Sequence, residues 1–278
     1  MFHSPPKRVL YSAYRINVEH ANAAGDKKII SGTAFYVRKG TELFLITNRH
    51  NVDAPMKDIK YAGYKPVGFT LSGYFDGIHL VANVASQEIW IGYPANDEED
   101  VAAIQATNVG FVVEPPAEMI TTFIDHTKIA TAADLSKIDV CDMVALPGYP
   151  DFYDRNGNRP IMRVGTIASD PDSDYCDSAM KPGRRIAYEA FSSAGSSGSP
   201  VFALAKGVRV GAGLSGGNFR DLRLIGVNAG HLEGRDGMGF HHAGISYCFK
   251  STCILDAMAD ACAPRLQISE RGAHLPKA

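Results

Sequence analysis

Ser197 lies in the run "AGSSGSPVF", between Gly195 and Gly198 and directly ahead of the apolar stretch "PVFAL". Glycine reaches backbone angles that a Cβ forbids, so the N–H groups of Gly195 and Ser197 can turn inward beside the hydroxyl. Two convergent donors can hold the charge that develops on a carbonyl oxygen under attack. A serine hydroxyl alone is a poor nucleophile near neutral pH and needs a base, normally histidine, within hydrogen-bond reach. Of nine histidines, His50 stands out because it ends the apolar run "LFLITNRH", where a rigid strand can aim its ring. Asp100 closes the polar run "NDEED" and directly precedes "VAAI". A buried carboxylate there would fix the tautomer of the histidine and stabilise its protonated form. Asp97, Glu98 and Glu99 are expected as a solvated acidic turn. Taken alone, "SSAGSSGSP" also fits a solvated Gly/Ser loop; its flanking strands and the other two motifs favour a nucleophile turn.

These residues need stiff elements to position them, and the chain supplies short β-type runs bounded by Gly, Pro, Asn and Asp. In the first half, 33–37 and 43–47 form a hairpin across "RKGTE", followed by strands at 66–75, 79–85, 87–92 and 101–105. The second half offers 142–147, 161–168, 185–190, 200–204, 223–229 and 240–246. Two sets of about six short strands predict an all-β protein: two closed or nearly closed sheets, taken as two six-stranded antiparallel β-barrels, with a C-terminal α-helix. The expected organisation is an N-terminal barrel over 1–115, a linker over 116–136 with one short helix at "TAADLSKI", a C-terminal barrel over 137–249, a helix over 250–263 and a loose tail over 264–278. The helix "STCILDAMADAC" is expected to start at a Ser251 or Thr252 cap and to pack Ile254, Leu255, Met258 and Cys262 on the second sheet.

The order His50, Asp100, Ser197, with "TNRH" ending one strand, "DVA" opening another and "GSSGSPVF" further on, resembles the trypsin-like, chymotrypsin-fold serine peptidases. It is closest to their bacterial branch without structural disulfides. The likeness spans residues 28–262 and includes "GYP" (Gly148 to Pro150) and the terminal helix. It implies an active site between the two barrels, in a serine endopeptidase with His50 as general base, Asp100 as its orienter and Ser197 as nucleophile, working through an acyl-enzyme. The backbone N–H groups of Gly195 and Ser197 would form the oxyanion hole. Phe191, Ser192, Ser193 and Ala194 would form one wall of the substrate pocket, and Asn228, Ala229, Gly230 and His231 another. The pocket base falls near Phe191, so an Asp selecting Lys or Arg is not evident, and Asn228 stands where some glutamate- or glutamine-selective relatives carry histidine. Other readings of the same residues are a catalytically silent protease-fold module that holds a peptide, and an esterase on the same serine.

The chain has 278 residues, 45% hydrophobic and 21% charged, with a formal net charge of −2 and a pI near 6.5. This balance lacks the basic field that phosphate-backbone binding requires, so nucleic acid is not an expected partner. No run of about 18 apolar residues occurs, so no membrane span is expected. The N-terminus carries Pro5, Pro6, Lys7 and Arg8 where a signal's apolar core would sit. Five cysteines without C-x-x-C spacing are expected as reduced thiols in a cytoplasmic protein. Adjacent His241 and His242 point to opposite faces of a strand and make a poor metal pair. The chemistry requires no metal or organic cofactor. The expected partners are a protein or peptide substrate and a regulatory activator protein that would release an otherwise quiet intracellular protease.

Overall fold

The computed structural model describes residues 1–75, 78–85, 90–106, 112–114, 122–177, 180–208, 219–236 and 239–263. Its first half runs through β1 (Ala13–Ala21), β2 (Lys27–Lys39), β3 (Glu42–Thr47), β4 (Lys65–Phe75) and β5 (Ile78–Ala85). Four short strands complete it: β6 (Ile91–Gly92), β7 (Ala102–Gln105), β8 (Val112–Glu114) and β9 (Ile124–Asp125). They form a nine-stranded sheet in the order β6-β7-β3-β2-β1-β4-β5-β8, with β9 pairing parallel to β2. The predicted β2–β3 hairpin pairs Phe35 with Ile46 and turns at Gly40, whose φ of +62° suits glycine. β1 was not among the expected strands, although Ile16 and Val18 alternate with Arg15, Asn17 and Glu19 in the buried-inward pattern of a strand. β9 lies inside the segment expected as a linker.

The second half matches the expected strands one for one: β10 (Met143–Gly148), β11 (Ile161–Ile167), β12 (Arg185–Glu189), β13 (Pro200–Ala203), β14 (Arg223–Asp236) and β15 (Gly239–Lys250). They close into a six-stranded barrel in the order β10-β11-β12-β15-β14-β13. The last two strands run longer than expected and extend as a hairpin beyond the barrel wall, carrying His231 and His242 near its base. The expected helix at "TAADLSKI" forms over Ala132–Leu135, closed by reciprocal Thr131 and Asp134 bonds.

The C-terminal helix, Ser251–Cys262, departs from expectation in two ways. Lys250 occupies its cap without a side-chain bond, and the Ser251 hydroxyl donates instead to the Ala130 carbonyl at 2.6 Å. Its buried face is Cys253, Ile254, Ala257, Met258 and Ala261, whereas Cys262 is exposed. The small residues let it press on the first sheet as well as the second: a Cβ on Gly92 would fall 2.2 Å from the Ala257 carbonyl. One apolar cluster therefore joins Phe35, Phe44 and Ile46 of the first sheet, Phe202, Val227 and Phe249 of the barrel, and the helix. None of the described helices is long and apolar enough to cross a membrane. The run 86–89, part of the linker (116–121), residues 209–218 and the tail (264–278) lie outside the described residues.

Candidate active site

His50 sits in the short helix Arg49–Val52 that follows β3, and Asp100 stands just before β7, the strand that pairs with β3. The ladder between these strands therefore brings the two side chains together. Asp100 grips His50 twice: Oδ2 lies 2.6 Å from ring Nδ1, and Oδ1 accepts the backbone N–H of His50 at 2.8 Å. Asn48 secures Asp100 in turn, donating to its carbonyl at 2.6 Å. Both side chains are largely shielded, with 16% of His50 and 12% of Asp100 exposed.

Ser197 reaches the same region on a turn delivered by the other half of the molecule. Its carbonyl accepts the Thr33 N–H at 2.8 Å and the Asn51 amide at 3.4 Å, so strand β2 and the residue after His50 both hold the turn. Thr33 Oγ1 donates to the Gly195 carbonyl at 2.8 Å and accepts the Tyr149 N–H at 3.0 Å, which ties in "GYP". Gly195 and Gly198 have φ of +84° and +92°. A Cβ at Gly198 would meet the Thr33 carbonyl at 1.9 Å, so both the angle and the space demand glycine. The N–H groups of Ser196, Gly198 and Ser199 are bonded within the turn or to β14. Those of Gly195 and Ser197 have no acceptor among the described residues.

The residues expected as pocket walls separate into different roles. Asn228 is 1% exposed, accepts the Tyr188 hydroxyl at 2.6 Å and donates to the Ser196 carbonyl at 2.9 Å. It braces the Ser197 turn from inside the barrel and does not form a surface wall. Ala229 packs on the shared core, and a Cβ on Gly230 would meet the Tyr247 hydroxyl at 2.8 Å. His231 does face the 191–194 segment, its Nδ1 3.4 Å from Ser192 Oγ, and stacks on His242 with centroids 4.3 Å apart. Phe191 is 69% exposed and its ring lies 4.8 Å from that of His242. Ser193 is half-buried and Ala194 exposed, with the Ala194 carbonyl accepting the Asp151 N–H at 3.0 Å.

Burial pulls the His242 imidazole below its ordinary value, and the neighbouring His231 and Arg163 add to the shift. Burial also lowers Arg163. Arg163, His242 and Ser246 escaped sequence reading because their neighbours here come from strands far apart in the chain. Asn51 carried a signal, adjacency to His50, and was missed all the same.

"NDEED" requires a correction. Glu99, expected in a solvated turn, is 2% exposed and forms a two-pronged pair with Arg184 at 2.7 and 2.6 Å. Burial opposes its ionisation, but the guanidinium more than compensates and holds the carboxyl below its usual range. All five cysteines are free, and burial pushes Cys248 up to about 12.

Two β-sheets, one carrying the His50–Asp100 pair and the other the glycine-shaped turn of Ser197, are the architecture of a chymotrypsin-like serine hydrolase. The family model described as "Trypsin-like peptidase domain" matches residues 32–211, and the chain belongs to that family: it is a trypsin-like serine endopeptidase. Among solved structures it is similar to the Rv3671c protease of M. tuberculosis in its active form, at 15% identity over 95% of this chain and 90% of that one, TM-score 0.47. It is also similar to Deg5, at 13% identity over 90% and 88%, TM-score 0.47. A thermostable serine protease, AL20, from an extremophilic microorganism matches at 13% identity over 92% and 100%, TM-score 0.48. The family match, and not these distant likenesses, carries the assignment. No curated protein matches the chain.

Proposed function

We propose that the chain hydrolyses peptide bonds through Ser197, His50 and Asp100. The observation that carries this reading is the double grip of Asp100 on His50. A carboxylate against Nδ1 keeps the proton on that nitrogen, which leaves the Nε2 lone pair to act as base. Ser197 Oγ attacks the substrate carbonyl carbon while its proton passes to Nε2. The resulting oxyanion takes the free N–H groups of Gly195 and Ser197, and the imidazolium donates its proton to the departing amine as the C–N bond breaks. Water then cleaves the acyl-enzyme ester through the same relay.

Ser197→Ala is expected to abolish both peptide hydrolysis and covalent labelling by a small alkyl fluorophosphonate. Undiminished labelling of that variant would sink the assignment. Turnover of peptides alongside matched esters separates an endopeptidase from an esterase, and labelling without turnover of either marks a binding module.

A further inference from the structure

Beside the nucleophile turn lies a group of polar side chains that the hydrolytic steps do not use. Ser192 Oγ is 3.0 Å from Ser246 Oγ and 3.4 Å from His231 Nδ1. The Ser246 proton goes to the Ala190 carbonyl at 2.7 Å, which orients the hydroxyl pair. His242 stacks behind His231, and its two ring nitrogens face the N–H groups of Ser192 at 3.1 Å and Gly244 at 2.8 Å. A neutral imidazole has one acceptor nitrogen, so those two donors leave His242 no reason to take a second proton. The fixed charge of the group comes from Arg163.

Arg163 is the anomaly. Its Nη1 donates to the Phe191 carbonyl at 2.9 Å, but Nε and Nη2 are buried with no hydrogen-bond partner. Among the described residues no carboxylate pairs with it. A buried guanidinium is normally compensated by an anion, and none of the described residues supplies one. In a shielded site such a charge projects a strong field onto its surroundings, which favours a negative ligand and repels a cation. The group also offers donors able to meet a carboxylate directly, the Ser192 hydroxyl and a ring N–H of His231.

We propose that Ser192, His231 and His242, backed by the unpaired Arg163, form a receptor for the carboxylate side chain of the substrate residue just before the cleaved bond, so that the enzyme cuts after glutamate or aspartate. Ser192 and His231 would bind the carboxylate oxygens, and Arg163 acts through its field as a positioning charge. This rests on the catalytic reading above, because it takes Ser197 as the point of attack.

Three peptidyl diphenyl phosphonates, alike except for glutamate, glutamine or lysine at that position, test it. Each phosphonate stands in for the tetrahedral intermediate and labels the nucleophile, so the rate of mass gain on the intact protein reads the preference. Sites are counted with a small alkyl fluorophosphonate. The glutamate probe is expected to label at least about tenfold faster than the glutamine probe, a difference of about 1.4 kcal/mol, and lysine slowest. Arg163→Met and, independently, His231→Ala are each expected to cut the glutamate-to-glutamine ratio at least fivefold per counted site. Equal rates for glutamate and glutamine, or lysine fastest, in the wild-type protein would overturn the proposal while leaving Ser197 as nucleophile. A wild-type glutamate preference that survives both substitutions would overturn the assignment to these residues. Fluorophosphonate labelling that persists in Ser197→Ala would remove the catalytic reading itself, and the proposal with it.

Discussion

A carboxylate that only tuned charge could be replaced by an amide at modest loss, but in the proposed relay Asp100 would also fix the tautomer of His50. In Asp100→Asn the amide keeps the size of the side chain, yet its NH2 can donate to His50 Nδ1 and turn the imidazole into the tautomer whose Nε2 carries the proton. The expected result is a fall of roughly 10⁴ in kcat on a peptide substrate, with KM changed far less. A loss of under about tenfold would show that His50 does not act as the base. At this scale the His50–Asp100 pair and the glycine-shaped turn at Ser197 were legible in the chain, because Ser197 is framed by glycines and His50 and Asp100 abut apolar runs. Glu99 was not. It neighbours Asp100 in an acidic run, and the cation that draws it inside, Arg184, is 85 residues away.

That pair links elements. It joins the loop before β7 to the segment entering β12, and Arg184 also reaches Asp256 of the C-terminal helix at 2.7 Å. Glu99→Gln is expected to destabilise the protein by about 2–3 kcal/mol, less than the roughly 3–5 kcal/mol for breaking a fully buried pair, since Arg184 is 30% exposed and keeps Asp256. The Glu99 carboxyl is held below its unfolded value of about 4.3, so its stabilisation is present above that pH and disappears as pH falls through the lower folded value. Urea denaturation should therefore show a wild-type advantage at pH 6 that shrinks as pH falls below about 4. A gap independent of pH would contradict the ion-pair account. Strands were the best-read elements because alternation and turn residues are local signals, and all six of the barrel appeared in order. The face of the terminal helix was read less well: Cys262 is no more polar than Cys253, and only the close approach of Gly92 decides that the Ala257 and Ala261 side turns inward.

At the scale of the whole molecule, the two halves share one apolar cluster, the Glu99–Arg184 pair and the Thr33 and Asn51 bonds to the Ser197 turn. Each half is then poorly satisfied without the other. Heat unfolding is expected as a single transition whose calorimetric and van't Hoff enthalpies agree. Two separate transitions would show that the sheets fold independently and that the catalytic cluster forms across a weak interface. The chain alone determined the all-β class, the barrel strands and the glycine-shaped turn at Ser197, because periodicity and turn residues are written in neighbouring positions. Tertiary structure decided which carboxylates are buried, that Asn228 braces the turn from within, that the terminal helix grips both sheets, and that Arg163 reaches the Phe191 carbonyl beside Ser192. Those outcomes depend on contacts between residues tens to hundreds of positions apart, and burial and pairing at that range are properties of the packed molecule.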